Sequence, residues 1–148
     1  MHATAARVQE RLCARGLDVS VRVLRDSART AAEAAQAVGC EVGQIVRSLV
    51  FVRDEEPVIV LCAGDRRVAA ERMGLRAATA DEARAATGFA IGGIPPLAHD
   101  RELETIIDQS LGRFETVWCA AGTPHAVFEV VTQALIGAIP GAVVLDVD

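Results

Sequence analysis

The segment "TGFAIGGIPPLAH", Thr87 to His99, is where the residue types and their spacing best suit chemistry. A core strand would avoid its glycines and prolines, because glycine weakens a strand and proline cannot donate to the ladder. Gly92 and Gly93 can take a positive φ, and Pro96 stiffens the end of the loop. The loop could therefore present backbone N–H groups to an anionic or carbonyl oxygen. A tight turn between strands is the alternative.

Four polar side chains could serve the same site. Arg47 lies in the apolar strand pattern "QIVRSLVFV", where a buried guanidinium needs either an internal carboxylate or an oxygen atom of a ligand. His99 and His125 each follow a proline-containing turn, from which the ring faces either a cleft or the surface. Asp108 ends a β-branched run and either forms a turn or faces a site.

Several reaction types are not indicated by the sequence. It contains no nucleophile elbow, P-loop, zinc-protease motif or dinucleotide-binding motif. All 15 basic residues are arginine, so no lysine is available as a Schiff base or general base. The cysteines are far apart and lack a nearby histidine pair, which predicts no metal site, no redox motif and no cofactor. They are Cys13, Cys40, Cys62 and Cys119.

Length, charge and hydropathy restrict the class of protein. A chain of 148 residues predicts one domain, residues 1–148, with one core. The net charge of −5 argues against non-specific coating of nucleic acid, so contacts with it must be local. Arg66, Arg67, Arg72 and Arg76 could form such a contact or a solvated helix face. The sequence lacks a secretory signal and a membrane-spanning stretch, so we expect a cytoplasmic protein without membrane partners.

The elements that would position these residues alternate between helices and strands. Capping patterns at Thr30 and Thr79 each predict a helix, and a third helix is expected near the amino terminus. Residues 44–52 and 57–64 predict a hairpin, and a turn with a short helix is expected over residues 65–75. We predict an α/β (α+β) fold with one mixed, mostly antiparallel sheet flanked by helices.

Five segments, taken in order, resemble the YbaK and prolyl-tRNA synthetase insertion-domain family of aminoacyl-tRNA deacylases. They are "TAAEAAQAVGCEVGQIVRSLVF", "AGDRRV", "ADEARAATGFAIGGIPPLAH", "IIDQSL" and "AAGTPHAVFEV". The resemblance runs from about Thr30 to the carboxyl terminus and implies a single YbaK-like domain.

The resemblance also implies roles for particular residues. The loop with Gly92, Gly93 and Pro96 would border the pocket for the aminoacyl group at the 3′ end of tRNA and stabilise the oxyanion of ester hydrolysis. Arg47 stands where the family has a lysine on which substrate binding depends, and Ala98 stands where many members have glycine. The implied substrate-binding residues are Thr30, Ser48, Ile94, His99, Asp108, Gly122 and His125.

The function implied is that of a free-standing hydrolase that removes a wrongly attached amino acid from tRNA, with a small residue mistaken for proline as the expected case. No triad is needed, because the ester is reactive and the neighbouring ribose hydroxyl can assist attack by water. The expected partners are the 3′ end of mischarged tRNA and prolyl-tRNA synthetase, and a homodimer stays open. Two alternatives are a non-catalytic module that binds an aminoacyl end or a small carboxylate, and a structural partner of a synthetase whose pocket is filled by side chains.

Overall fold

A computed structural model describes residues 1–148, which form four α-helices and eight β-strands. The helices are α1 (Ala3–Ala14), α2 (Ala31–Val38), α3 (Ala80–Thr87) and α4 (Thr132–Gly137). The strands are β1 (Val21–Val23), β2 (Val46–Arg53), β3 (Glu56–Ala63), β4 (Arg76–Ala77), β5 (Glu104–Asp108), β6 (Thr116–Ala120), β7 (Ala126–Val131) and β8 (Val143–Leu145). None of the helices has both the length and the apolar character needed to cross a membrane.

The strands are divided between two sheets. One has the order β4-β2-β3-β5-β8 and contains antiparallel and parallel pairs, and the other has the order β1-β7-β6 and is antiparallel. The predicted α+β fold is confirmed. The prediction that all strands form one sheet is wrong, because the strands form two. A single parallel bridge between Ile45 and Trp118 links β6 to the start of β2, so the ladder does not continue from one sheet to the other.

Two of the helices begin and end as the sequence predicts. Thr30 accepts a hydrogen bond from Glu33 N–H at 3.1 Å, and α2 ends at Gly39 in the left-handed conformation. Thr79 and Glu82 form a reciprocal capping box at the start of α3, which ends at Gly88 with φ +84°. Both helices therefore have fixed boundaries beside the segments that the sequence marks as functional.

The predicted helix within residues 65–75 is wrong, because this segment forms turns. Local backbone hydrogen bonds close turns over residues 69–75, such as Met73 N–H to Ala70 C=O at 3.1 Å, but they do not form a continuous helix. Other backbone groups of the segment bind distant parts of the chain: Arg66 C=O accepts from Arg47, and Ala69 N–H donates to Val147 C=O at 2.7 Å. These long-range hydrogen bonds outweigh the local helix propensity.

The main core lies between α1, α3, α4, the three-stranded sheet and one face of the five-stranded sheet. Ala5, Val8 and Leu12 of α1 are fully buried in it, at the spacing of one helix face. A smaller apolar cluster covers the opposite face of the sheet, so β3 is buried on both faces from Val58 to Ala63. Strand β3 therefore gives the neighbouring strand β2 a rigid support.

Candidate functional site

A cleft of about 630 Å³ opens between α2, the start of β2 and β6. Its lining also includes Ile91, Gly92 and Ile94 of one loop and Thr123 and Pro124 of another. The walls are largely apolar, with alanines from α2 facing Ile45, Val46 and Trp118. The cleft is not filled by side chains, which argues against a purely structural role.

The charged residues that line the cleft are all arginines: Arg29, Arg47, Arg66 and Arg67. No Asp, Glu or His lines it. Arg66 pairs with Asp65 at 3.3 Å, whereas Arg29 and Arg67 are exposed and form no ion pair. A chain of net charge −5 thus has a cleft of positive potential, which suits an anionic ligand.

Arg47 and Ser48 carry buried polar atoms without hydrogen-bond partners. Arg47 Nη2 donates to Arg66 C=O at 2.5 Å and lies 3.6 Å from Cys62 Sγ, while Arg47 Nε has no acceptor. The Ser48 hydroxyl is also unpartnered. Buried polar groups are normally satisfied, so both atoms have unused hydrogen-bonding capacity. Because the two residues are consecutive in β2, their side chains point to opposite faces of the sheet, and both residues line the cleft.

The glycines of the loop have different roles. Gly92 has φ +97°, and its N–H donates to no backbone carbonyl, so this donor is free at the rim of the cleft. Gly93 N–H donates to Ala90 C=O at 3.1 Å and is not available to a ligand. A Cβ on Gly93 would lie 2.7 Å from Gly122 O, and Gly122 N–H donates to Gly93 C=O at 2.7 Å. Gly93 and Gly122 therefore join two loops by backbone contact.

The segment from Gly88 to Asp100 is closed at its base. Asp100 N–H donates to Thr87 C=O at 3.1 Å, and the buried side chains of Phe89, Ile94 and Leu97 fill the interior. This is the arrangement of an Ω-loop, and we call the segment 88–100 the glycine–proline loop. The loop is thus a packed body rather than a simple turn.

The other predicted site residues lie outside the cleft lining, apart from Thr30. Pro96 is buried within the glycine–proline loop. Asp108 is buried, and its carboxylate accepts from Ala63 N–H at 3.0 Å and Ser110 N–H at 2.9 Å, which makes it a structural cap. His125 is exposed in the loop between β6 and β7.

His99 is mostly buried, and its Nε2 lies 2.7 Å from Pro95 O. Burial lowers the pKa of His99, although the Pro95 carbonyl opposes this shift. The ring is therefore neutral at pH 7, with Nε2–H as the donor. The hydrogen bond closes the loop on itself and leaves the ring no part in the cleft.

The thiols near the cleft are protonated. Burial raises the pKa of Cys62 to about 11, although Arg47 partly offsets the effect, and burial raises the pKa of Cys119 further. A thiol with so high a pKa is a poor nucleophile. No group of three or more His, Cys, Asp or Glu side chains is arranged to hold a metal ion.

Three features of the site were not predicted from the sequence. Arg29 precedes the cap of α2, and only the fold brings it beside Arg67 in one cleft. Trp118 comes from the second sheet. Gly64 also lines the cleft, and a Cβ there would lie 2.4 Å from Val42 O. The sequence does offer a signal for Gly64, because this glycine directly follows the apolar run of β3 in "AGDRRV".

The chain matches the family model for the aminoacyl-tRNA editing domain over residues 25–138. It belongs to the aminoacyl-tRNA editing domain family. Within this editing domain, the matched residues include the cleft lining and the whole glycine–proline loop.

Solved structures and a curated relative agree with this assignment. One structure is a candidate trans-editing enzyme for prolyl-tRNA synthetase, with 44% identity, coverage of 100% of this chain and 98% of that chain, and a TM-score of 0.91. A scaffold protein from work on computational epitope grafting has 38% identity, coverage of 100% and 99%, and a TM-score of 0.94. YwhH of Bacillus subtilis (strain 168) is 33% identical over 118 residues, 74% of each chain.

Proposed function

We propose that this editing domain hydrolyses the ester bond of mischarged tRNA in trans, as a free-standing single domain. The observation that carries the proposal is a cleft lined by four arginines and no carboxylate, with unpartnered donors on Arg47 and Gly92. Phosphate and ester oxygens are the acceptors that such a cleft suits.

The proposed chemistry is positioning and polarisation. Arg47 and Ser48 bind oxygen atoms of the terminal nucleotide or the aminoacyl group, and Gly92 N–H stabilises the oxyanion that forms when water attacks the ester carbonyl. No lining residue is a suitable general base, so the proton of the attacking water is relayed through a second water molecule or the neighbouring ribose hydroxyl to the ribose oxygen that leaves. Collapse of the oxyanion then releases the amino acid and the ribose hydroxyl.

The apolar walls suit an uncharged aminoacyl side chain. Ala31, Ala34, Val46 and Ala126 present short side chains to the cleft. The structural neighbour described as a candidate trans-editing enzyme for prolyl-tRNA synthetase supports tRNA-Pro as the substrate and this synthetase as the partner. A protein with this substrate would act in the cytoplasm. A homodimer stays a prediction.

Release of free amino acid from a panel of tRNAs, each charged with one non-cognate amino acid, tests the proposal. We expect hydrolysis of a small residue on tRNA-Pro, faster than that of correctly charged prolyl-tRNA. A protein that hydrolyses no member of the panel would contradict the proposal.

A non-catalytic binding module is the second candidate function. It is favoured by the absence of any ionisable base from the cleft lining and by the arginine at position 47. This candidate predicts that mischarged tRNA binds without loss of its amino acid. The same panel, measured by binding and by hydrolysis, separates the two functions.

A further inference from the structure

Helix α1 and its C-cap residue carry three arginines on one face, each directed toward the segment that includes the glycine–proline loop. Arg7, Arg11 and Arg15 are spaced by four residues, which places them on adjacent turns of the helix. The buried face of α1 packs in the main core, and its Thr4 and Val8 lie against Gly122. We call these three residues the arginine ladder.

Each residue of the ladder has a partner in residues 89–102. The Arg7 guanidinium lies 5.7 Å from the centre of the Phe89 ring. Arg11 Nη1 donates to Ala98 C=O and to Asp100 Oδ1, both at 3.0 Å. Arg15 forms an ion pair with Glu102.

Arg11 binds the loop at its most strained point. Ala98 has φ +66°, a left-handed conformation that is unfavourable for a residue with a Cβ. Ala98 is buried, and its carbonyl is held by the guanidinium. The same guanidinium binds Asp100, whose N–H closes the base of the loop.

The base of the loop depends on a close approach as well. A Cβ on Gly88 would lie 2.1 Å from Asp100 Oδ2, so only glycine leaves room for this carboxylate. Arg11 thus binds the Ala98 carbonyl and the Asp100 carboxylate, which lie where the loop returns to its base. The other part of the loop, with Ile91, Gly92 and Ile94, lines the cleft.

We propose that Arg11 is a positioning residue for the glycine–proline loop, and that Arg7 and Arg15 assist it. The inference rests on the proposed function, in which this loop forms the wall that stabilises the oxyanion. Arg11 does not touch the substrate. It keeps Ala98 in the left-handed conformation, and so keeps Gly92 in its place at the cleft.

The test compares Arg11→Gln, Arg11→Lys and the double variant Arg11→Gln/Ala98→Gly with the parent chain. Arg53→Gln is the matched control, because Arg53 is equally exposed (37% against 35% for Arg11) and also forms an ion pair, with Glu104. Amide hydrogen exchange is measured at Phe89, Gly93 and Asp100, and deacylation is measured as kcat and KM.

In Arg11→Gln we expect about tenfold faster exchange at these amides, the size expected when a hydrogen bond to a charged group is lost. We expect about tenfold lower kcat with little change in KM, because misplacement of a donor acts on the transition state. Arg11→Lys should recover part of both. Ala98→Gly should restore the double variant, because glycine takes a positive φ without strain.

Parental exchange rates in Arg11→Gln, or the same acceleration in Arg53→Gln, would overturn the inference. Failure of Ala98→Gly to restore the loop would overturn it too, because strain at Ala98 would then not be what Arg11 controls. The exchange measurement does not depend on activity. If the parent chain deacylates no tRNA, the proposed function is wrong. The exchange rates then still decide whether Arg11 positions the loop.

Discussion

Arg47 is held in place by the protein and also has a hydrogen-bond donor without a partner. One nitrogen of its guanidinium binds the carbonyl of Arg66, which fixes the side chain, and Nε keeps a free N–H. A guanidinium does not release its proton near pH 7, so Arg47 can bind and polarise but cannot act as a general base. We propose that Arg47 has the electrostatic role of the lysine that the resemblance places at this position. A general-base role for that lysine would instead predict an inactive protein.

Substitution of Arg47 tests that role. Arg47→Lys should retain much of the activity, because an ammonium supplies the same charge. Arg47→Ala should lower kcat/KM about 100-fold, chiefly through KM, because a charge-assisted hydrogen bond to the substrate is lost. Steady-state deacylation and thermal melting should be measured together. Full activity in Arg47→Ala would remove this residue from the site.

His99 gives the protein a defined dependence on pH. Burial lowers its folded-state pKa below the ordinary value of 6.5, so the unfolded chain takes up a proton at a higher pH than the folded chain. The free energy of unfolding should therefore decrease as the pH falls from about 6.5 toward the folded pKa.

Urea unfolding at about pH 7.5 and about pH 5.5 measures this decrease. His99→Gln keeps an N–H donor for Pro95 C=O but does not titrate, so its stability should change less between the two conditions. His125→Gln, at an exposed histidine, is the control and should behave as the parent chain. Equal pH dependence in the His99 variant and the parent would contradict this prediction.

Ala98 and Asp108 show how far the family resemblance predicts the role of a single residue. Many family members have glycine at this position, and the left-handed φ of Ala98 gives the physical reason. Asp108 is the opposite case. Its place in a shared motif predicts a contact with substrate, but its carboxylate is fully engaged by backbone N–H groups at the end of β5.

At the scale of elements, the β2–β3 hairpin has an unfavourable residue in its turn. Asp54 and Glu55 have φ +49° and +66°, the pattern of a type I′ turn, which favours glycine at the second position. Glu55→Gly should stabilise the protein by about 1 kcal/mol, because the left-handed conformation then has no Cβ penalty. Chemical denaturation measures the change, and Glu56→Gly, at the adjacent strand position, is a control that should not stabilise.

Elements with local signals are predictable from this sequence, and elements fixed by distant contacts are not. Capping residues and glycine stops identify α2 and α3, and apolar runs identify β2 and β3. Residues 65–75 have a helical pattern, yet Asp65 binds Arg113 at 2.8 Å and the backbone binds β2 and the carboxyl-terminal segment. Nothing local in the sequence encodes these partners. The same reason explains why the division into two sheets was not foreseen.

At the scale of the whole molecule, the distribution of charge matters more than its sum. The chain is acidic, but its cleft is positive, because four arginines and no carboxylate line it. For Arg72 and Arg76 the sequence leaves open a phosphate contact or a solvated helix face. In the structure they bind carbonyls of the carboxyl-terminal segment and Glu82 respectively. Arg29 and Arg67 are the exposed cleft arginines without an ion pair, and we propose that they contact phosphates.

The salt dependence of tRNA binding tests the roles of Arg29 and Arg67. Each phosphate contact on a single strand contributes about 0.7 to the slope of log K against log salt concentration. The double variant Arg29→Gln/Arg67→Gln should therefore lower the slope by about 1.4. Arg101→Gln, which loses only an exposed pair with Glu56, should keep the parental slope. An unchanged slope in the double variant would place the phosphates elsewhere.

Trp118, on the wall of the cleft, makes the site optically distinct from the rest of the protein. It is the only tryptophan in the chain, and there is no tyrosine. Indole emission depends on the polarity around the ring, so fluorescence from this protein originates almost entirely at the site. Occupancy of the cleft can therefore be followed on the unlabelled, unmodified chain, at equilibrium or during a single turnover, without a signal from any other region.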